Sequence, residues 1–156
     1  MKYRNQPNFP DDKLCLTDGG LETVLIFEHG IELPEFASFA LLDYENGEQI
    51  YRNYLQPYID LAIRHKMAFQ LVDFGWRASS DWGKKLGLDE SHLESIIRRS
   101  SKWLRKIRSE NETSDSPMPI VSCIGPRGDG YTPGSMMTID EATEYHCAQT
   151  KIVSDT

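Results

Sequence analysis

The sequence has no apolar run approaching the roughly 18 residues that a membrane-spanning helix needs, which excludes a transmembrane reading. The opening stretch Met1-Lys2-Tyr3-Arg4-Asn5-Gln6-Pro7 has no apolar core behind its charges, so no secretory signal is visible and a cytoplasmic location is the default expectation. Cysteine is scarce. Cys15, Cys123 and Cys147 are odd in number and far apart, which argues against a disulfide framework, and no Cys-x-x-Cys pair suggests structural zinc. The histidines, His29, His65, His92 and His146, form no His-x-x-x-His pair, and the neighbours His146 and Cys147 diverge on a helix. Excess positive charge is also missing: 17 Lys+Arg against 24 Asp+Glu give a formal charge of −7. A phosphate backbone needs a basic face, so nucleic acid is not the expected partner.

What is present is ordinary for one soluble domain: 39% hydrophobic, 10% aromatic and 26% charged residues, with 11 Gly and 8 Pro. A chain of 156 residues can bury a core without staples. No internal repeat or interdomain linker is visible.

Residues 1–13 are polar, carry Pro7 and Pro10, and read as a flexible lead-in. Leu14-Cys15-Leu16-Thr17, stopped by Asp18-Gly19-Gly20, predicts a short buried strand and a loop. Residues 21–47 are mixed in pattern, with Gly30, Pro34 and Gly47 as breakers. From Glu48 to His65 the apolar positions Ile50, Tyr54, Tyr58, Leu61 and Ala62 recur at helical spacing, with Pro57 expected to kink or interrupt the helix. Met67 to Phe74, ended by Gly75, predicts a second strand.

Leu93, Ile96, Ile97, Leu104 and Ile107 place one apolar stripe on a helix over 90–108, and Ser91-His92-Leu93-Glu94 fits a capping box at its start. The Lys and Arg residues from Arg98 to Arg108 are then a solvated face and a last turn suited to the helix dipole. Asn111-Glu112-Thr113, which fits a glycosylation acceptor, reads as solvated loop. Pro119 to Ile124 predicts a third strand, closed by Gly125-Pro126 and a Gly-rich loop running to Gly134. Thr138-Ile139-Asp140-Glu141 is a second capping box, opening a helix to about Lys151, and Ile152 to Thr156 reads as the start of a fourth strand.

Alternating strands and helices imply parallel strands joined by right-handed crossovers. Two architectures fit, an open doubly wound sheet or part of an eight-stranded α/β barrel, and both place function at the carboxyl ends of the strands. That rule singles out Asp18-Gly19-Gly20, Asp73-Phe74-Gly75, Gly125-Pro126-Arg127 and Asp155-Thr156.

Several short matches lead nowhere. Asp73-Phe74-Gly75 spells a kinase triplet, but no phosphate loop, Val-Ala-Ile-Lys strand or His-Arg-Asp loop precedes it. Arg127-Gly128-Asp129 copies an integrin-binding tripeptide in what reads as a cytosolic loop. Gly125-x-x-Gly128-x-Gly130 lacks the dinucleotide-binding spacing and is read as a flexible loop whose backbone can approach an anion. No Ser–His–Asp or Cys–His set can be assembled from spacing. Asp18 is the strongest single candidate: a carboxylate at a strand's end beside two glycines can ion-pair with a ligand ammonium. The competing reading is an Asp in an ordinary Asp-Gly turn.

Leu16-Thr17-Asp18-Gly19-Gly20-Leu21-Glu22-Thr23 resembles the N-terminal signature of the homocysteine S-methyltransferase family. In register with it, Trp76-Arg77-Ala78-Ser79-x-Asp81-Trp82-Gly83-x-x-Leu86-Gly87 is similar to the family's segment after its second strand. Ile124-Gly125-Pro126-Arg127-Gly128-Asp129-Gly130-Tyr131 is similar to its third-strand loop, and Glu141-Ala142-x-x-Tyr145-His146-x-x-Gln149 to the helix that follows. The resemblance spans about residues 14–150.

It implies an α/β fold, the N-terminal half of a (β/α)8 barrel of about three and a half strand–helix units over 14–156. It also implies methyl transfer to the thiol of homocysteine, giving methionine, with the methyl donor unspecified. In the family a zinc ion held by three cysteines keeps that thiol as the nucleophilic thiolate, because coordination lowers a thiol's pKa. Zinc is therefore expected of the full-length family. Its ligands lie in the second half of the barrel, at positions that Cys15, Cys123 and Cys147 do not match. Asp18 takes the family role of holding the amino-acid end of the substrate, with Gly19 and Gly20 shaping the pocket and Glu22, Asp73 and Gly125 beside it. Where the family carries a Thr-containing run before Trp-Arg-Ala, this chain has Val72-Asp73-Phe74-Gly75, and an ionised Asp73 can only accept hydrogen bonds.

Barrels of this type need roughly 200 residues or more. The chain is thus expected to be a fragment, a truncated product or one half of an assembly, with a complementary half-barrel or self-association covering its strand edges. A non-catalytic amino-acid-binding or interaction module is the alternative. A small open-sheet domain of unrelated function is a third.

Overall fold

The structure, a computed structural model, describes Tyr3 and residues 14–132, 134 and 136–156. The lead-in expected over residues 1–13 lies, Tyr3 apart, outside the described residues. The elements run β1 Cys15–Leu16, α1 Leu21–Thr23, α2 Gly47–Arg64, β2 Ala68–Phe69, β3 Leu71–Val72, α3 Ser80–Lys85, α4 Glu90–Asn111, β4 Ile120–Val121 and α5 Ile139–Ser154. The mixed stretch after α1 forms a π-helical turn over Val24–Glu28 and 3-10 turns over Pro34–Phe36 and Ser38–Asp43.

The strands are parallel, with Cys15 opposite Ala68 and Leu71 opposite Ile120. Segment 68–73 lies between its two neighbours, as the alternating direction of its amides shows. Ala68 and Gln70 donate to the carbonyls of Leu14 and Leu16, while Phe69, Leu71 and Asp73 donate to those of Pro117, Pro119 and Val121. The three predicted strands thus exist, each shorter than the apolar run that announced it. They stand in chain order, an arrangement common to a barrel and to half of a doubly wound sheet.

Helix α2 buries Tyr51, Tyr54, Leu55, Ile59 and Ala62. The expected stripe is therefore rotated, and Leu61 is 42% exposed. Pro57 does not interrupt the helix. It is exposed, as is Asn53 one turn before it, so the carbonyl deprived of a donor faces water. Helix α4 buries the predicted stripe in full and adds Trp103. Tyr51 stacks on Phe74 with ring centroids 3.4 Å apart, and Trp103 tilts against both at 5.8 Å. This aromatic cluster pins α2 and α4 to the end of β3.

Three further expectations fail. The cap of α4 is Asp89, not Ser91: its carboxylate accepts from the amide of His92 at 2.8 Å and the hydroxyl of Ser91 at 2.7 Å. Glu94 pairs instead with Arg98, one turn on, at 2.7 Å. The helix also continues to Asn111, so the loop begins at Glu112. Finally, Ile152 and Val153 are the last turn of α5, packed on the core, rather than a fourth strand. The capping box at Thr138 is present, with both reciprocal bonds to Glu141. Among the described residues, no helix is long and apolar enough to cross a membrane.

Candidate functional site

The carboxyl ends of β1, β3 and β4 converge on a cavity of about 190 Å³. Its wall includes Asp18, Gly20 and Glu22 after β1, Tyr54 from α2, Asp73, Phe74 and Trp76 after β3, and Cys123 after β4. Four of the six candidate residues, Asp18, Gly20, Glu22 and Asp73, therefore meet. Gly19 and Gly125 do not line the cavity.

Asp18 is half-buried, and one carboxylate oxygen accepts from the Tyr54 hydroxyl at 2.9 Å. Burial first, and then the Asp18 charge, push the Tyr54 phenol far above its ordinary range. Tyr54 is a fixed donor, not a base. Among the described residues the other Asp18 oxygen accepts no hydrogen bond, which leaves it as an acceptor for a ligand. Gly20 supplies the left-handed backbone (φ 97°) that turns the chain from the Asp18 loop into α1. Glu22, at that turn, accepts from the hydroxyl of buried Ser38 at 2.7 Å.

Asp73 is 8% exposed. One of its oxygens accepts from the amides of Gly75 and Cys123, each at 3.0 Å, so it ties the end of β3 to the end of β4. Burial nevertheless raises its pKa, outweighing the Ser122, Cys123 and Gly75 hydrogen bonds that lower it. Asp73 therefore stands at the cavity wall, as its place at the strand end predicts, and also ties β3 to β4. Gly125 has a similar supporting place. A Cβ there would stand 2.2 Å from the Trp76 carbonyl, and its amide donates to that carbonyl at 3.1 Å, so it allows Trp76 to close against the β4 end. Gly19 lies against the Tyr58 hydroxyl.

Burial raises the Cys123 thiol, and the charges of Asp73, Glu22 and Asp18 raise it further. The cavity is therefore a negative field around a protonated thiol, suited to a small cationic group. It falls below the roughly 300–1,000 Å³ of a drug-sized pocket and matches a ligand of amino-acid size. A larger groove of about 680 Å³ lies between α4 and α5, walled by side chains of both signs, away from Asp18 and β1.

Zinc does not fit the described residues. Of the three cysteines only Cys123 lines the cavity, so no second thiol stands there to share a zinc ion with it. No group of three His, Cys, Asp or Glu side chains among the described residues is arranged to hold a metal ion.

Sequence reasoning missed Tyr54, Trp76 and Cys123 as wall residues. Tyr54 was visible only as a helix-face position, and Cys123 only as an isolated thiol. Their convergence is tertiary.

The fold is similar to the crystal structure of the homocysteine methyltransferase MmuM from Escherichia coli in its metallated form. The TM-score is 0.66 at 20% identity, over 94% of this chain and 51% of that one. No family model and no curated protein matches the sequence. The likeness is one of fold: a mixed α/β chain with short parallel strands, spanning about half the length of the methyltransferase structure it resembles.

Proposed function

We propose that this chain is the N-terminal half of a homocysteine S-methyltransferase-like (β/α)8 barrel, and that its cavity grips the amino-acid end of homocysteine. The observation that carries the reading is the placement of Asp18. It stands at the end of β1, oriented by Tyr54, in a small cavity whose other charged walls are also carboxylates. Such a site selects for an ammonium group, and a charge-assisted hydrogen bond to the open Asp18 oxygen would hold it. Glu22 and Asp73 deepen the field, and Trp76 and Phe74 supply apolar wall for the thiol-bearing side chain.

In this reading the chain binds and orients but does not activate sulfur. Among the described residues no donor set suits zinc, so on this reading the thiolate chemistry would come from a complementary half-barrel. A second reading, a non-catalytic amino-acid-binding module, is favoured by the same mismatch of donors with zinc. The two part in an assay of methyl transfer with added zinc: the half-barrel reading expects turnover once the complementary half is supplied, the module reading none.

The binding claim is tested by calorimetry on the full chain with L-homocysteine and with 4-mercaptobutanoate, which lacks the amine. Homocysteine is expected to bind at least about tenfold more tightly, and Asp18→Asn to remove most of that preference. Equal affinity for the two ligands would overturn the assignment.

A further inference from the structure

Consecutive non-glycine residues, Glu35 (φ 57°) and Phe36 (φ 54°), occupy the left-handed region. Such backbone persists only where surrounding contacts over-determine it. Here the contacts converge on one side chain. The Arg77 guanidinium donates to the Glu35 carbonyl. It also lies over three rings, 4.0 Å from the Trp82 centroid, 4.7 Å from Trp76 and 6.0 Å from Phe36. Lys85 stacks on Trp82 at 3.9 Å and pairs with the Glu35 carboxylate at 3.7 Å.

Two residues further on is Ser38, whose hydroxyl holds Glu22 at the cavity wall and whose carbonyl accepts from the buried Tyr51 hydroxyl. A strained strap over 34–38 therefore joins the Arg77 cluster, after β3, to a wall carboxylate, after β1. Neither the Asp18–Tyr54 pair nor the Asp73 tie accounts for it.

We propose that Arg77 is a positioning residue that clamps the strained strap and, through Ser38, fixes the Glu22 carboxylate at the cavity wall. The affinity part of this proposal rests on the reading that the cavity takes an amino acid. Releasing the clamp lets Glu35 and Phe36 relax toward right-handed backbone, which swings Ser38 away and leaves Glu22 unheld. A lysine at position 77 keeps the charge but loses the planar stack and the fork, so it is a partial clamp.

The experiment compares the full chain with Arg77→Ala, Arg77→Lys and the double variant Arg77→Ala/Glu35→Asn. Asparagine tolerates the left-handed region, so it relieves the strain at position 35, though not at Phe36, without the clamp. Hydrogen exchange is read at the Phe36 and Ala37 amides, which donate to Leu33 and Pro34. Homocysteine affinity is read by calorimetry. Arg77→Ala is expected to speed exchange at 36 and 37 about tenfold while α2 and α4 stay unchanged, with Arg77→Lys intermediate and the double variant restored toward wild type. Homocysteine affinity should fall about fivefold in Arg77→Ala and recover in the double variant.

Unchanged exchange at 36 and 37 in Arg77→Ala overturns the clamp, as does faster exchange with undiminished homocysteine affinity. If wild type binds no homocysteine, the amino-acid reading fails by itself, and exchange with its rescue decides the clamp alone. Should Arg77→Ala not fold, Arg77→Lys with and without Glu35→Asn carries the same comparison.

Discussion

Asp73 shows how one residue's position in the sequence can be legible while its task is not. Its place at the end of an apolar run marks it for the carboxyl ends of the strands, and it does reach the cavity wall. Its task is set by contacts 50 residues away, because it accepts the Cys123 amide. Asp18 and Gly20 were legible because their geometry is local, a turn after a strand, whereas Glu22 entered only through the family resemblance. Tyr54 and Cys123 were not, since their role exists only once α2 and β4 are packed beside β1.

The raised pKa of Asp73 has a consequence for stability. A carboxyl whose folded pKa lies above its unfolded value binds protons more readily in the folded state, so stability falls as pH rises from about 3.8 through the folded pKa. This sign is opposite to that of an ion-paired carboxylate. Asp73→Asn keeps an acceptor oxygen for Gly75 and Cys123 while removing the buried charge. Urea unfolding from pH 4 to 7 is expected to show a flatter profile for the variant, with stability at pH 7 equal to or above wild type. Asp73→Ala, which strands both amides, should cost about 2–4 kcal/mol. A D73N profile as steep as wild type would assign the pH dependence elsewhere.

Among the elements, periodicity located the long helices, and side-chain competition decided their ends. At Thr138 the box forms, with Thr138 and Glu141 each satisfying the other's backbone amide. The similar pattern at Ser91 lost to Asp89, whose carboxylate reaches the His92 amide, and Glu94 was drawn to Arg98. Ile152 and Val153 favour a strand by residue type, but extending α5 buries them against the core without a new crossover.

The end of α2 carries a testable strain. The Met67 amide donates to Ala62 at 2.9 Å and the Lys66 amide to Ile63 at 3.2 Å, the paired bonds of a Schellman motif. Its left-handed position, usually glycine, is Lys66 with φ 54°. The ion pair of Lys66 with Asp115 at 3.1 Å is largely exposed and contributes little. Lys66→Gly should therefore stabilise the chain by about 0.5–1 kcal/mol, the relief of left-handed strain less the added entropy of an unfolded glycine. A urea midpoint that moves up with an unchanged slope is the expected readout, and a lower midpoint would mean that the ion pair outweighs the strain.

For the molecule as a whole, an open arc of strands and an acidic surface pull in opposite directions. Among the described residues, β1 pairs only with β2 and β4 only with β3, so each outer strand has an edge without a strand beside it. Leu14, next to β1, is 74% exposed, and β1 is half-buried where its apolar run predicted burial. That difference could not be read locally, because a strand's burial depends on what the rest of the fold packs beside it. Open edges and exposed apolar residues favour pairing with another chain. Against this, the charge of −7 makes copies of the chain repel one another.

Salt separates the two effects. Its screening length falls from about 30 Å at 10 mM to about 8 Å at 150 mM, which removes the repulsion and leaves edge pairing and apolar contact in force. Sedimentation should find mass near the 17.9 kDa monomer at low salt and low concentration. The mass should rise with concentration, and rise more steeply at 150 mM salt. On the half-barrel proposal, a co-expressed complementary half should suppress that rise by occupying the same edges. A mass that stays monomeric at every salt and concentration would show that the edges are blunted within this chain, and the case for a missing second half would lose its physical basis.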